Sequence, residues 1–317
     1  MVLLLSIPKG LEVKSLCKNK KRQNENIKSP GKTGTFYFMT TSKLKIAIQG
    51  ISTCFHEVAA RTYFHDSIEP VECLTFHKLC ESLKKKDCDF AMMAIENTIA
   101  GSILPNYFLL QEYRFSIVGE IYLPIHLHLL AYPGVKLEDI KTVESHPMAI
   151  RQCFEYLHKL NGVELRESDD TAISARKVSE KKLKATAAIA NELAAKKFGL
   201  EILGRRIETH KKNFTRFLVL SRGSEPKEES NKASLCFEVL NEVGSLADVL
   251  TVFKTNRINL SKIQSIPVIG KPQEYSIHID VEWSERRNYD DALKQVQKQT
   301  HNLSVLGEYK KGKIEYK

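Results

Sequence analysis

No uninterrupted apolar stretch in the 317 residues approaches the ~20 that a membrane helix needs, which excludes a helical membrane span. The opening run, residues 2–7, is too short for a secretory signal core and has no basic segment ahead of it. The seven cysteines (17, 54, 73, 80, 88, 153 and 236) form no CxxC pair, and an odd, scattered set suits reduced thiols in a cytosolic protein. No P-loop, GxGxxG, GxSxG or HExxH is present, so the common signatures of nucleotide binding, serine hydrolysis and zinc proteolysis are missing. What is there is ordinary globular material, 42% hydrophobic and 27% charged. The length suits about two domains.

The net charge of +10 invites a nucleic-acid reading, and its distribution argues against one. Residues 1–42 alone hold +6, from seven lysines and Arg22 against Glu12 and Glu25. A basic tail without interleaved aromatics or a reading helix is weak evidence for nucleic acid. Residues 1–43 are expected to be a basic leader, either disordered or upstream of a true start at Met39.

From Leu44 onward, short β-rich runs alternate with amphipathic segments. Strands are expected over 45–49, 89–95, 142–144, 163–167, 187–190 and Phe214–Ser221, with an extended apolar stretch over 116–132. Helices are expected near 55–63 and over 74–86, 104–111, 147–160, Thr171–Glu180 and 191–198. This alternation predicts an α/β catalytic domain over 44–222 with largely parallel pairing, in two lobes around a cleft. Residues 223–231 read as a polar linker. Residues 232–317 follow with strand, helix, two strands, helix and strand, the ferredoxin-like βαββαβ order.

Four stretches place small hydroxyl or carboxyl residues where a strand turns into a helix: Gly50-Ile-Ser-Thr-Cys-Phe55, Ile95-Glu-Asn-Thr-Ile-Ala-Gly101, Glu144-Ser-His-Pro147 and Ser168-Asp-Asp-Thr-Ala172. Capping explains each taken singly. Several helix starts aimed into one cleft would also bind carboxylates. In Asn213-Phe-Thr-Arg-Phe217, alternation puts Thr215 and Phe217 on one face and Arg216 on the other. The plain reading of Arg216 is an exposed strand residue. His126 and His128 share a strand face but find no third metal ligand at a recognisable spacing, so they read as a packed or solvated pair.

Taken together, Ala94-Ile-Glu-Asn-Thr-Ile-Ala-Gly101, Ser145-His-Pro-Met-Ala-Ile-Arg-Gln-Cys153 and Asn213-Phe-Thr-Arg-Phe217 resemble the prephenate dehydratases, in the same order. The tail resembles that family's ACT regulatory domain, through Val243-Gly-Ser-Leu246, Ile258-Asn-Leu-Ser-Lys-Ile-Gln-Ser-Ile-Pro267 and Leu306-Gly-Glu-Tyr309. The resemblance implies a bilobal catalytic domain like the type II periplasmic binding proteins, followed by a phenylalanine sensor. It departs from the family pattern in the first loop, where the family has Gly-Pro ahead of Gly-Thr-Phe, and at Ile266, where the family has Arg.

The implied reaction converts prephenate to phenylpyruvate in phenylalanine biosynthesis, expelling the ring hydroxyl as water together with carbon dioxide, and needs no metal or organic cofactor. The resemblance implies Thr215 as donor to the leaving hydroxyl, with Asn97 and Gln152 orienting the substrate and Glu96 either a proton donor or structural. Ser145, Thr171, Thr98 and Phe217 are the implied substrate contacts. Gly244, Ser245 and Leu246, with Ser265 and Pro267 of a second copy, are the implied L-phenylalanine site of a homodimer or homotetramer. Arogenate dehydration, or a non-catalytic amino-acid-binding role, are the alternatives.

Overall fold

The computed structural model describes residues 43–65, 68–223 and 229–314, so the expected leader, apart from Lys43, and part of the expected linker lie outside the described residues. The chain starts with β1 (Leu44–Gln49), α1 (Phe55–Phe64), β2 (Ile68–Cys73), α2 (Phe76–Lys85) and β3 (Phe90–Asn97). A two-residue strand β4 (Gly101–Ser102), α3 (Leu104–Tyr113) and β5 (Ser116–Pro124) complete this first half-lobe. The chain then crosses to a second lobe with β6 (His128–Ala131), β7 (Thr142–Ser145), α4 (Pro147–Gln152), α5 (Phe154–Leu157), β8 (Glu164–Glu167), α6 (Thr171–Glu180), β9 (Thr186–Ala190), α7 (Glu192–Phe198) and β10 (Glu201–Gly204). It returns as β11 (Phe214–Ser221), which inserts between β3 and β5. The second lobe is therefore an insertion into the first.

The first sheet has the order β2-β1-β3-β11-β5 and the second β10-β6-β9-β7-β8. Parallel pairing is confined to β2-β1-β3 and β9-β7-β8. The expectation of largely parallel sheets is corrected here: β5, β6 and β11 carry the chain between lobes, and β11 and β6 pair antiparallel with their neighbours. Ile46, Ala47, Ile48, Met92 and Val219 are fully buried, so these central strands read as continuous apolar runs. Two edge strands, β2 and β10, escaped the sequence pattern. Pro70 lies in β2, where an edge position tolerates the missing N–H. The single helix expected over 147–160 is instead α4 and α5, broken at Cys153, whose N–H is shared between the carbonyls of Ala149 and Ile150.

Beyond the second crossing come β12 (Lys232–Glu238), α8 (Ser245–Thr255), β13 (Asn259–Pro267), β14 (Tyr275–Glu282), α9 (Arg286–Val296) and β15 (His301–Tyr309). The sheet order is β13-β14-β12-β15, all antiparallel, as the βαββαβ reading requires. One face of this sheet is apolar: Leu235, Phe237, Ile277, Ile279 and Val281 pack with Val249, Phe253 and Tyr289 of the two helices. The other face carries Lys232, Ser234, Cys236, Ser276, His278 and Asp280, and every one of them is buried. It lies on the first lobe. Gly307 makes that approach possible, because a Cβ there would sit 2.0 Å from the carbonyl oxygen of Ile117 in β5.

Candidate active site

Thr215 lies opposite Asn97, and Arg216 opposite Glu96, in the antiparallel β3–β11 pair. Neighbouring strand residues face opposite ways, so Asn97 and Thr215 share the cleft face while Glu96 and Arg216 share the rear. Asn97 ends β3. Its Oδ1 accepts from the N–H groups of Ile99 and Ala100, both at 2.9 Å, and this turn reverses the chain into β4. Gly101 supplies the φ of +82° that the reversal needs.

With its oxygen fixed this way, the Asn97 amide nitrogen is aimed at β11. It lies 3.0 Å from Thr215 Oγ1, 2.8 Å from Asn213 Oδ1 and 3.1 Å from the Phe214 carbonyl oxygen. Gln152, at the end of α4 in the second lobe, joins the same cluster. Its Oε1 accepts from Asn213 Nδ2 at 3.0 Å, and its Nε2 is 3.5 Å from Asn97 Oδ1. Thr215 is thus a hydrogen-bond acceptor within the cluster, and among the described residues no acceptor takes its own O–H. The oriented hydroxyl proton is what this arrangement offers a ligand. Every member of the cluster is neutral.

A second seam joins the lobes at the first loop. Asn191 Nδ2 donates to the Thr53 carbonyl oxygen at 2.6 Å, and Asp170 Oδ2 lies 2.9 Å from the position a Cβ on Gly50 would take. Burial pushes the Asp170 carboxyl up, against the N–H groups of Ala172 and Ile173 that it accepts. Those two bonds mean that the helix start at 168–172 is filled by its own carboxylate. The start of α1 has no side-chain cap. Burial also pushes the Cys54 thiol up, leaving it a donor to the Gln49 carbonyl.

The structure brings Thr215, Asn97 and Gln152 together. Thr98 is beside them as a clasp, its Oγ1 accepting from the Phe214 N–H at 2.9 Å. Four expectations change. Glu96 turns to the rear, where Lys262 holds its carboxylate at 2.8 Å, away from the cleft face. Ser145 is fully buried with its hydroxyl donated to the Ile189 carbonyl at 2.7 Å, and neighbouring Glu144 pairs with Lys177, so both side chains are taken up within their own lobe. Phe217 is 1% exposed and packs edge-on against His56, supporting the strand from within the core. Arg216, read as exposed, is buried. Thr171 is buried at the first position of α6 beside Asp170. Asn213 joins the cluster without a sequence signal of its own, since a lone Asn before a strand marks no more than a turn. The histidine pair is engaged by protein: His126 with Glu208 at 3.4 Å, His128 with the Arg206 N–H at 3.2 Å.

In the C-terminal unit, Gly244 takes φ +89° at the start of α8. Ser245 and Asp248 line an open groove of about 440 Å³ with Leu240, Thr251 and Gln299. Ser265 and Pro267 are exposed on the edge strand β13, and Ile266 between them is buried in an apolar cluster of the first lobe. Its side chain is a contact within this chain.

A model of the prephenate dehydratase domain matches residues 46–225. The chain belongs to the prephenate dehydratase family. A bifunctional chorismate mutase/prephenate dehydratase of Enterobacter agglomerans is 32% identical over 271 residues, 84% of this chain and 70% of that protein. Arogenate dehydratase/prephenate dehydratase 2 of Arabidopsis thaliana is 36% identical over 282 residues, 84% of this chain and 73% of that protein. Among solved structures, the prephenate dehydratase of Arthrobacter aurescens in complex with L-Phe superposes with TM-score 0.76 at 26% identity, covering 84% of this chain and 90% of that one. GqqA, described as a novel type of quorum quenching acylase, superposes with TM-score 0.77 at 29% identity, covering 84% and 97%. Against the prephenate dehydratase loop, Thr53 stands where the family has the Gly of Gly-Thr-Phe, and it adopts the left-handed φ of +79° that a glycine would take freely.

Proposed function

We propose that the cleft dehydrates and decarboxylates prephenate to phenylpyruvate, with Thr215 donating its hydroxyl proton to the departing ring hydroxyl. The observation that carries this reading is the Asn97 amide at 3.0 Å from Thr215 Oγ1. By donating to that oxygen, it leaves the O–H free to point at a ligand and makes the hydroxyl a better donor. A threonine hydroxyl is too weak an acid to surrender its proton outright, so oriented hydrogen bonding is its role. Aromatisation of the ring drives the loss of water and carbon dioxide. Asn213 and Gln152, bonded to each other across the two lobes, make the site depend on lobe closure. A protein described as an acylase shares the fold, so this cluster, and not the fold, carries the dehydratase chemistry.

The plant relative's double name supports a second reading, arogenate as substrate, which differs by an amino group where prephenate has a keto group. Purified protein assayed for phenylpyruvate with prephenate, and for phenylalanine with arogenate, separates the two. Turnover of neither substrate rejects the dehydratase assignment.

For the C-terminal unit, residues 232–317, we propose an ACT-type sensor that binds L-phenylalanine between the Gly244–Leu246 turn and the Ser265–Pro267 segment of a second copy. The L-Phe complex of the Arthrobacter relative supports the ligand. Leu240 and Val243 beside the turn, and Ile263, Ile269 and Tyr275 around β13, are exposed apolar side chains suited to a second copy. Phenylalanine should inhibit the wild type, and Gly244→Val, which forces a β-branched residue into φ +89°, should abolish the response. Equal inhibition in both proteins rejects the site.

A further inference from the structure

Behind Thr215 lies a closed set of charges that the reaction does not use. Arg216, 3% exposed, donates through Nε to Glu120 Oε2 at 2.7 Å and through Nη2 to the Tyr309 hydroxyl at 3.1 Å, and its Nη1 is paired with Asp280 Oδ2. Asp280 also accepts from Ser234 Oγ at 2.5 Å, and Lys232 Nζ reaches Glu120 Oε1 at 3.0 Å. Arg216 and Glu120 belong to the first lobe, whereas Asp280, Ser234, Lys232 and Tyr309 belong to the C-terminal sheet. Opposite Arg216 on the neighbouring strand β3, Glu96 is held by Lys262 of β13 at 2.8 Å. The residues adjoining both Thr215 and Asn97 are therefore each gripped by the C-terminal unit.

We propose that the Arg216–Asp280 contact is a tether through which the C-terminal unit sets the position of Thr215. Arg216 and Asp280 are positioning residues in this scheme, and the catalytic part of it rests on the dehydratase reading above. The physical ground is geometric. Adjacent residues of one strand share a rigid peptide plane, so a guanidinium fixed at three points fixes the backbone from which the Thr215 hydroxyl projects. A shift of the C-terminal sheet on the lobe must either carry Arg216 with it or leave a buried charge unpaired, which gives the contact two discrete arrangements and no soft intermediate. Phenylalanine bound elsewhere in the C-terminal unit would act on catalysis through this contact.

The test compares full-length Asp280→Asn with Gln111→Leu. Gln111 crosses the same interface, from α3 to Ser276 Oγ at 2.7 Å, but adjoins neither Thr215 nor Asn97. Asp280→Asn should lower kcat for prephenate roughly tenfold with KM changed less than about twofold, the scale of a coupling mutation, whereas Gln111→Leu should leave both near wild type. Backbone hydrogen exchange supplies a readout independent of turnover. Exchange over residues 214–217 should quicken in Asp280→Asn alone, with residues 142–145 of the second lobe unchanged in both variants. Ser234→Ala, which keeps every charge and removes one bond to Asp280, should move both readouts the same way by less, and it carries the test if Asp280→Asn does not fold. Unchanged exchange at 214–217, or equal changes in the Asp280 and Gln111 variants, overturns the tether. A wild type inactive on prephenate would sink the dehydratase reading, while the exchange comparison would still decide the mechanical link.

Discussion

Thr215 and Arg216 are consecutive residues of β11 with unlike surroundings. On the cleft side, Thr215 is half-buried among neutral amides, Asn97, Asn213 and Gln152, drawn from both lobes. On the rear, Arg216 is sealed with Glu120, Asp280 and Lys232 in a set where each charge has an opposite partner. Burial alone would push the Asp280 carboxyl up, but Arg216 and Lys232 outweigh it and hold it below the usual range. A neutral cluster can receive a dianion without a competing internal counter-ion. A balanced charged cluster gains little from solvent and loses much from the removal of one member. The same strand thus presents a surface made to be altered by a ligand and one made to resist alteration.

Substitutions should separate the two faces by what they damage. The largest expected effect is on rate: Thr215→Val, nearly isosteric, should fold normally and lose at least ~10²-fold in kcat with a much smaller change in KM, as for removal of one transition-state donor. Steady-state kinetics beside a melting curve would check it, and wild-type turnover would break the contrast. Lys232→Met should do the reverse, costing about 3 kcal/mol in urea unfolding because Glu120 keeps a buried charge with one partner fewer. Its kcat in the folded protein should stay within a few-fold of wild type, on the order of a coupling effect alone.

Asn213→Ala comes next, with kcat expected to fall about tenfold, since the buried residue bonds both Asn97 and Gln152 and so orients them. Such a loss with no change in stability would place Asn213 with the cleft and not the core. The fourth expectation concerns acid. Burial pushes His56 down to about 3 and His278 down to about 4, so both stay neutral in the folded protein at pH 5. The unfolded chain takes up those protons near its ordinary pKa of about 6.5, so stability is full above that pH and falls as pH drops toward 4. Each group contributes a slope of about 1.4 kcal/mol per pH unit, and His56→Phe should flatten a plot of Tm against pH by one such share.

The smallest effect is expected at the first loop. Thr53 holds φ +79° and its Oγ1, buried, meets no hydrogen-bond partner among the described residues. Thr53→Gly should therefore leave stability unchanged or raise it by up to about 1 kcal/mol, the strain of a β-branched residue there being offset by the freer unfolded chain. A clear loss of Tm would show that the methyl group packs in a way the strain argument omits.

Much of this architecture was legible before any coordinates. Phe214–Ser221 could be read from Phe-Leu-Val-Leu, and Thr171–Glu180 from its cap and apolar spacing, because in both the local preference and the buried face agree. Edge strands were harder. Ile68-Glu-Pro-Val-Glu-Cys73 has a proline and two charges, which an edge permits and a pattern search penalises. The C-terminal sheet shows a subtler limit. Alternation in Ser276-Ile-His-Ile-Asp-Val281 marks two faces but cannot say what covers the polar one, so Asp280 and His278 would pass as solvated when they are buried against the first lobe. The choice left open for Glu96, proton donor or structural, turns on a related limit: its neighbour Asn97 is in the cleft, and strand geometry sends the next side chain to the rear. Its partner Lys262 is 166 residues away, beyond any local signal.

The insertion of the second lobe between β5 and β11 also sets an order of events during synthesis. Asn97 precedes Thr215 by 118 residues. At ~5–20 residues per second, the ribosome takes about 6–24 s to supply the partner that completes the site. Through that interval β3 has β1 on one side and an unfilled edge on the other, while the entire second lobe is made and can close its own sheet. The cleft is finished from its far wall inward, and the Thr215 hydroxyl arrives on the last strand of the first lobe to be made.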